Sequence, residues 1–191
     1  VIEKIREAFG GELDFAVTGS AVMNVDVAKF FIDIGINCYD AYGMTESSPA
    51  ATMNTPEEGG WRLGSVGRAV EKVTIEINKE RTGEDSKDGE IVIWGPNIMH
   101  GYHNKPEKTK EVLLEKNGVR GMRSGDRGWM DEDGFVFITG RFKEEYKLEN
   151  GKYVHPAAIE EEMKLLPYIA NAFVFGNAKA YNVALVVPDF E

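Results

Sequence analysis

The sequence predicts an α/β protein with a parallel strand–helix–strand unit first, a β-subdomain after it, and a small α+β unit last. Three observations point that way. Apolar residues recur at helical spacing over residues 25–34 between two short apolar strands. From Gly64 onward the apolar period falls to two, and beyond Arg141 a charged stretch leads into one more amphipathic helix and two strands.

Ile2, Ile5 and Phe9 share one helical face, so the chain is expected to open at Val1 already inside a helix. Phe15–Val17 reads as a strand, Thr18-Gly19-Ser20-Ala21 as a turn, and Val25 to Ile34 as a helix with Val25, Ala28, Phe31 and Ile32 on one face. The strand Ile36–Ala41 delivers Tyr42-Gly43-Met44-Thr45-Glu46 at its carboxyl end. In a parallel unit ligands sit beyond the carboxyl ends of strands, so the two turns should lie side by side.

Val73–Ile77 alternates, and Glu90–Trp94 and Phe135–Ile138 are further strands. A helix begins at Pro106, a residue suited to the first helical position, and runs through Val112 and Leu113. Seven of the 21 glycines lie between Gly118 and Gly151, which predicts a turn-rich stretch, with Asp126 in a turn after Gly125. Asp131 and Asp133, before Gly134, mark a hairpin turn. Pro156 opens a helix with Ile159, Met163 and Leu166 on one face and Glu160 to Glu162 in its first turn, where carboxylates suit the helix dipole. Strands Ala172–Phe175 and Val183–Val187 follow, and both chain ends, at Val1 and Glu191, read as cut.

A net charge of −10, spread along the chain, offers no basic footprint for nucleic acid. No apolar run is long enough to cross a bilayer and no signal peptide is visible, so no transmembrane segment is expected. The single cysteine, Cys38, excludes an intramolecular disulfide and a cysteine zinc cluster; its apolar strand setting predicts a buried, inert thiol and a reducing cytoplasmic compartment. His100, His103 and His155 lack metal-like spacing and read as turn or surface residues.

The chemistry concentrates in two places. In Tyr42–Glu46 an aromatic ring can lie on a purine, Gly43 lets backbone approach closely, and Thr45 and Glu46 can meet a phosphate and its magnesium ion. A strand ending in an ordinary loop would look the same. In the later cluster Asp126 could accept both ribose hydroxyls or satisfy its own turn. Arg141 could clamp phosphate or ribose oxygens or make a surface ion pair, and Lys143 and Lys147 sit in a charged strip.

Five blocks occur in an order that resembles the adenylate-forming acyl-CoA synthetases: TGSA at Thr18, YGMTES at Tyr42, GEIVIWGPNIMHGYHNKPEKT at Gly89, SGD at Ser124 and ITGRFKEEYKLENGKYVHPAAIE at Ile138. The last is most similar to the long-chain fatty acyl-CoA ligase branch. The resemblance implies residues 1–141 as the end of a large adenylation domain (1–63 α/β, 64–141 the β-subdomain) and 142–191 as the beginning of a small mobile domain. It implies that Gly19, Ser20 and Ala21 line the adenine and acyl side, that Tyr42 stacks on adenine, and that Asp40, Ala41, Gly43 and Ile138 belong to the nucleotide site. Thr45 would contact phosphate, Glu46 would hold magnesium, Asp126 would bind ribose, and Arg141 would bridge ribose and phosphate. Lys143 falls on the hinge position, and Lys147 on a position that swings inward for thioester formation.

The implied cofactors are ATP, Mg2+ and coenzyme A, with a fatty acid as the acyl substrate; peripheral membrane association and a homodimer stay open. An adenylating enzyme that loads a carrier protein and a noncatalytic nucleotide-binding module are the alternatives. Ser124 replaces the usual threonine and Met122 a common aromatic. The Ser/Thr/Gly-rich phosphate loop and the carboxyl-terminal adenylation lysine of the family have no counterpart in these 191 residues, which implies an internal piece of a longer enzyme, inactive alone.

Overall fold

The computed structural model describes residues 2–21 and 23–190. Val1 and Glu191, on which the expectation of cut ends rests, lie outside the described residues.

The opening unit runs α1 (Ile2–Ala8), β1 (Phe15–Thr18), α2 (Val25–Asp33) and β2 (Asn37–Gly43). Asn24 caps α2, its Oδ1 accepting from the N–H groups of Asp26 at 2.8 Å and Val27 at 3.4 Å. Gly35, at φ +80°, supplies the left-handed residue after the helix. The expected parallel pair is present: β1 lies along β2 with Thr18 opposite Asp40. Beyond it the sheet becomes antiparallel, since β2 pairs with β3 (Ala50–Met53) and β3 with β4 (Arg68–Ala69). Neither β3 nor β4 shows in the sequence pattern. β3 is buried on both faces at Ala51 and Thr52, so it lacks alternation, and β4 is two residues long.

The second sheet orders β5 (Thr74–Asn78), β6 (Gly89–Trp94), β8 (Val119–Met130) and β7 (Leu113–Lys116), with β9 (Val136–Arg141) also paired to β8. Helix α3 (Pro106–Val112) stops one residue short of the expected end, because Leu113 already belongs to β7. The glycine-rich stretch corrects a larger expectation. Much of it is the long strand β8, so Asp126 sits in a strand, opposite Arg141 of β9, and not in a turn. Two of its glycines are there for close packing. A Cβ on Gly121 would lie 2.3 Å from the Trp94 ring, and one on Gly128 would lie 2.4 Å from the Phe137 carbonyl oxygen. The hairpin turn at Asp131–Gly134 is as expected: Asp131 Oδ1 accepts from the N–H groups of Asp133 and Phe135, and Arg62 bridges Asp131 and Asp133.

The main core joins both sheets through Tyr42, Ala51, Val66, Ile91, Ile93, Met122 and Val136. A second cluster of Ile34, Ile36 and Cys38 lies under α1 and α2. Cys38 is buried as expected; burial pushes its thiol pKa up and the nearby Asp40 charge adds to this.

The last unit contains the hairpin β10 (Tyr146–Lys147) and β11 (Tyr153–Val154), then α4 (Pro156–Lys164), β12 (Ile169–Phe175) and β13 (Val183–Pro188). Pro156 is the first helical residue, so Glu160–Glu162 fall beyond the first turn, which holds no carboxylate. Glu160 Oε1 instead accepts the Val174 N–H at 2.7 Å and ties β12 to α4. Leu166 lies past the helix end. His100 and His103 are exposed, but His155 is half-buried as the N-cap residue of α4, with Nδ1 shut off from solvent and 3.7 Å from Glu145.

The junction between the second sheet and the last unit is held by charge. The Phe142 N–H donates to the Gly125 carbonyl at 3.0 Å, and the Arg81 guanidinium lies 4.0 Å from the centre of the Phe142 ring. Arg127 grips Asp88 through Nε at 2.8 Å and Nη2 at 2.9 Å, and reaches Glu145 at 2.8 Å. Burial alone would raise the Asp88 pKa, but donors from Arg127, Ser86 and Thr139 outweigh it and hold the carboxyl at about 2. That value lies below the ordinary unfolded carboxylate value of about 3.9. The stabilisation is therefore complete above that value and is lost as pH falls toward 2. Urea unfolding at a series of acidic pH values should show Asp88→Asn less stable than the parent at neutral pH, with the difference shrinking as pH falls through this window.

Candidate nucleotide site

A cavity of about 500 Å³ opens beyond the carboxyl ends of β1 and β2, walled on one side by β8 and β9 and on the other by α4. At its base Asp126 is 3% exposed and Tyr42 8%. The Tyr42 hydroxyl donates to Asp126 Oδ2 at 2.7 Å, and Arg141 Nε donates to Asp126 Oδ1 at 2.7 Å. Burial pushes the Tyr42 phenol pKa up and the adjacent Asp126 charge pushes it further, so the hydroxyl keeps its proton and serves as donor. Ser124 steadies the arrangement: its Oγ accepts the Asp126 N–H at 3.0 Å and donates to the Ile91 carbonyl at 2.6 Å.

Of the residues expected at a nucleotide, Ser20, Ala21, Ala41, Tyr42, Gly43, Asp126, Ile138 and Arg141 line this one cavity. Ser20 holds a left-handed φ of +72°, a conformation that costs a non-glycine residue energy and recurs at functional turns. Gly19 and Asp40 do not line it. Asp40 is buried and accepts from Thr18 Oγ1, which locks the first turn to β2; burial raises its pKa, against hydrogen bonds from Thr18 and the Met23 backbone that lower it. Gly43 gives its space to its own loop, since a Cβ there would lie 1.7 Å from the Pro49 carbonyl oxygen.

Thr45 and Glu46 continue in a 3-10 turn (Thr45–Ser47) outside the cavity wall, with Thr45 exposed and Glu46 half-buried. Tyr102 Oη donates to Glu46 Oε1 at 2.8 Å. Lys143 is exposed in the turn between β9 and β10. Lys147 is exposed on β10, its Nζ 5.3 Å from the centre of the Tyr153 ring, and does not reach the cavity.

The sequence pattern missed the opposite wall: Ala157, Ala158, Glu161 and Glu162 of α4, with Asn24 Nδ2 donating to Glu162 Oε1 at 3.1 Å. The adjacent alanines at the start of α4 were the available signal, as small residues permit close approach to a ligand. Asp26, Asp126, Glu144, Glu161 and Glu162 also make the lining strongly acidic, with Arg141 its one cation among the described residues. Magnesium is typically held by one or two carboxylates plus substrate phosphates. Among the described residues no group of three or more His, Cys, Asp or Glu side chains could hold a metal.

Residues 3–103 match the family model described as AMP-binding enzyme, and residues 144–191 match the one described as AMP-binding enzyme C-terminal domain. The chain belongs to the AMP-binding enzyme family. It is 34% identical over 183 residues to a long-chain-fatty-acid–CoA ligase of Xenopus laevis, a match covering 95% of this chain and 24% of that protein. It is 32% identical over 191 residues to one of Mycobacterium bovis, covering 100% of this chain and 30% of that protein. This AMP-binding chain thus spans about a quarter to a third of the length of those relatives. The fold is also that of O-succinylbenzoate coenzyme A synthetase from Bacillus subtilis in complex with AMP (TM-score 0.77, 23% identity, 99% of this chain and 40% of that one). The A domain of carboxylic acid reductase from Segniliparus rugosus, in complex with AMP, is similar as well (TM-score 0.78, 25% identity, 99% and 29%). Among the described residues no helix is long and apolar enough to cross a membrane.

Removing the hydroxyl in Tyr42→Phe leaves Asp126 Oδ2 buried without its donor. Chemical denaturation should show a loss of about 1–3 kcal/mol, the cost of an unsatisfied buried acceptor, with native secondary structure retained.

Proposed function

We propose that this chain forms the nucleotide-binding part of a long-chain fatty acid–CoA ligase, and that the cavity at Asp126 receives the AMP moiety of ATP and of the acyl-adenylate. The single observation that supports this most is the convergence of Tyr42 and Arg141, far apart in sequence, on one buried carboxylate at the base of that cavity. The relatives' names favour a long-chain acyl substrate with coenzyme A as acceptor over a carrier protein.

The fatty carboxylate attacks the α-phosphorus of ATP and pyrophosphate leaves; the coenzyme A thiol then attacks the acyl carbonyl and AMP leaves. No enzymic nucleophile is needed, so the chain's contribution is positioning and charge. Tyr42 offers a ring face beside the adenine position, Asp126 retains lone pairs for the ribose hydroxyls, and Arg141, 59% exposed at its side chain, faces the ribose and α-phosphate. Thr45 and Glu46, just outside that cavity, would meet the β- and γ-phosphates. Magnesium bound with ATP would neutralise phosphate charge, and Glu46 is the residue that would hold it.

Residues 1–141 then act as the end of a large domain and 142–191 as the beginning of a smaller mobile one, with Lys143 as the pivot and Lys147 brought to the cavity for the thioester step. Lys143 lies between two fixed points, the Phe142 N–H on Gly125 and Glu145 on Arg127, so rotation there must release Glu145.

In the intact protein, Glu46→Gln should lower ATP–pyrophosphate exchange by about 100-fold or more while the fold persists; unchanged exchange would remove Glu46 from the site. Lys143→Pro, which fixes φ, should depress one half-reaction well below the other, measured as exchange against thioester formation from preformed acyl-adenylate. Equal loss in both would contradict the pivot.

A further inference from the structure

The loop after β6 grips the turn that carries Glu46. Asn97 Nδ2 donates to the carbonyls of Ser47 and Ala50, both at 3.0 Å, and the Met99 N–H donates to the Glu46 carbonyl at 2.9 Å. These contacts hold backbone only. The contact to the carboxylate itself is made by Tyr102, whose Oη lies 2.8 Å from Glu46 Oε1.

Tyr102 is itself fixed from behind. Its N–H donates to Thr109 Oγ1 at 2.9 Å, and that hydroxyl donates to the Lys105 carbonyl at 3.0 Å, on the edge of α3. Gly101, at φ +146°, lets the chain press on the same threonine: a Cβ there would lie 2.7 Å from Thr109 Cγ2. Arg120 Nη1 donates to the Ile98 carbonyl at 3.2 Å and braces the loop from β8. A side chain anchored in this way can hold its hydroxyl in place without help from a ligand.

We propose that Tyr102 is a positioning residue for Glu46, fixing Oε1 so that Oε2 is presented to the divalent cation that accompanies ATP. This rests on the reading of Glu46 as the cation-holding carboxylate. A glutamate on a surface turn spreads over several rotamers, and pinning one oxygen removes that entropy before the ligand arrives. The chemistry of the partner matters too. A lysine or arginine in its place would neutralise the carboxylate and compete with the cation, whereas a neutral phenol orients it and leaves its full charge available.

The test measures ATP affinity by titration calorimetry with and without magnesium in the intact protein, for the parent, Tyr102→Phe, Glu46→Gln and the double variant. The ratio of the two affinities is the readout, with no turnover involved. Tyr102→Phe should reduce the magnesium-dependent gain by roughly tenfold, as removal of an outer partner of a metal ligand does, and leave magnesium-free ATP affinity unchanged. Adding Tyr102→Phe to Glu46→Gln should cost nothing further.

Full retention of the gain in Tyr102→Phe, alongside its loss in Glu46→Gln, would overturn the positioning role and leave the Glu46 reading intact. Retention of the gain in Glu46→Gln would overturn both. An equal fall in affinity with and without magnesium would show that Tyr102 only supports the loop. Should Tyr102→Phe fail to fold, Thr109→Val removes the anchor and is expected to lower the gain by a smaller factor, and an unchanged gain there would count against the proposal.

Discussion

The buried carboxylate of Asp126 is the constraint on which the rest of the site depends. A charge 3% exposed at the foot of a cavity must be met by donors, and Tyr42 and Arg141 meet it, while Ser124 holds the Asp126 backbone. Those donors come from β2 and β9, and Asp126 itself from β8. One carboxylate therefore joins the opening sheet to the second sheet and fixes where the two turns beyond β1 and β2 face the β8–β9 edge. The antiparallel register that sets Asp126 opposite Arg141 makes the ion pair a consequence of strand pairing.

Electrostatics of the cleft follow from the same arrangement. Arg141 gives its Nε to Asp126, and the surrounding wall contributes Asp26, Glu144, Glu161 and Glu162. An acidic lining of this kind disfavours a bare polyphosphate and favours one that brings its own cation. The wall supplied by α4 is joined to the opening unit by a polar side-chain contact from half-buried Asn24 to exposed Glu162. A contact of that kind is weak enough to open and close.

The junction is tighter. Arg127 is held by Asp88 and holds Glu145, just beyond the turn at Lys143. Phe142 is buried under the Arg81 and Arg127 guanidinium groups. Between these two anchors lie the exposed residues Lys143 and Glu144.

Period and punctuation in the sequence determined the parallel β1–β2 pair, α2, the Asp131–Gly134 hairpin and the order of the motif blocks, because each depends on contacts within a few residues. The pattern could not reveal β3, buried on both faces, or the strand character of the stretch around Asp126, where glycines allow close approach to Trp94 and the Phe137 backbone and imitate a run of turns. The carboxylates of α4 looked like dipole partners, yet the true first residue, Pro156, puts them one turn later, where Glu160 ties down β12. Tertiary structure alone decided that Tyr42 and Asp126 meet, that Gly43 is filled by its own loop, and that Tyr102 reaches Glu46. Each of those contacts joins residues whose nearness is set by how sheets and loops pack, and no local periodicity encodes that.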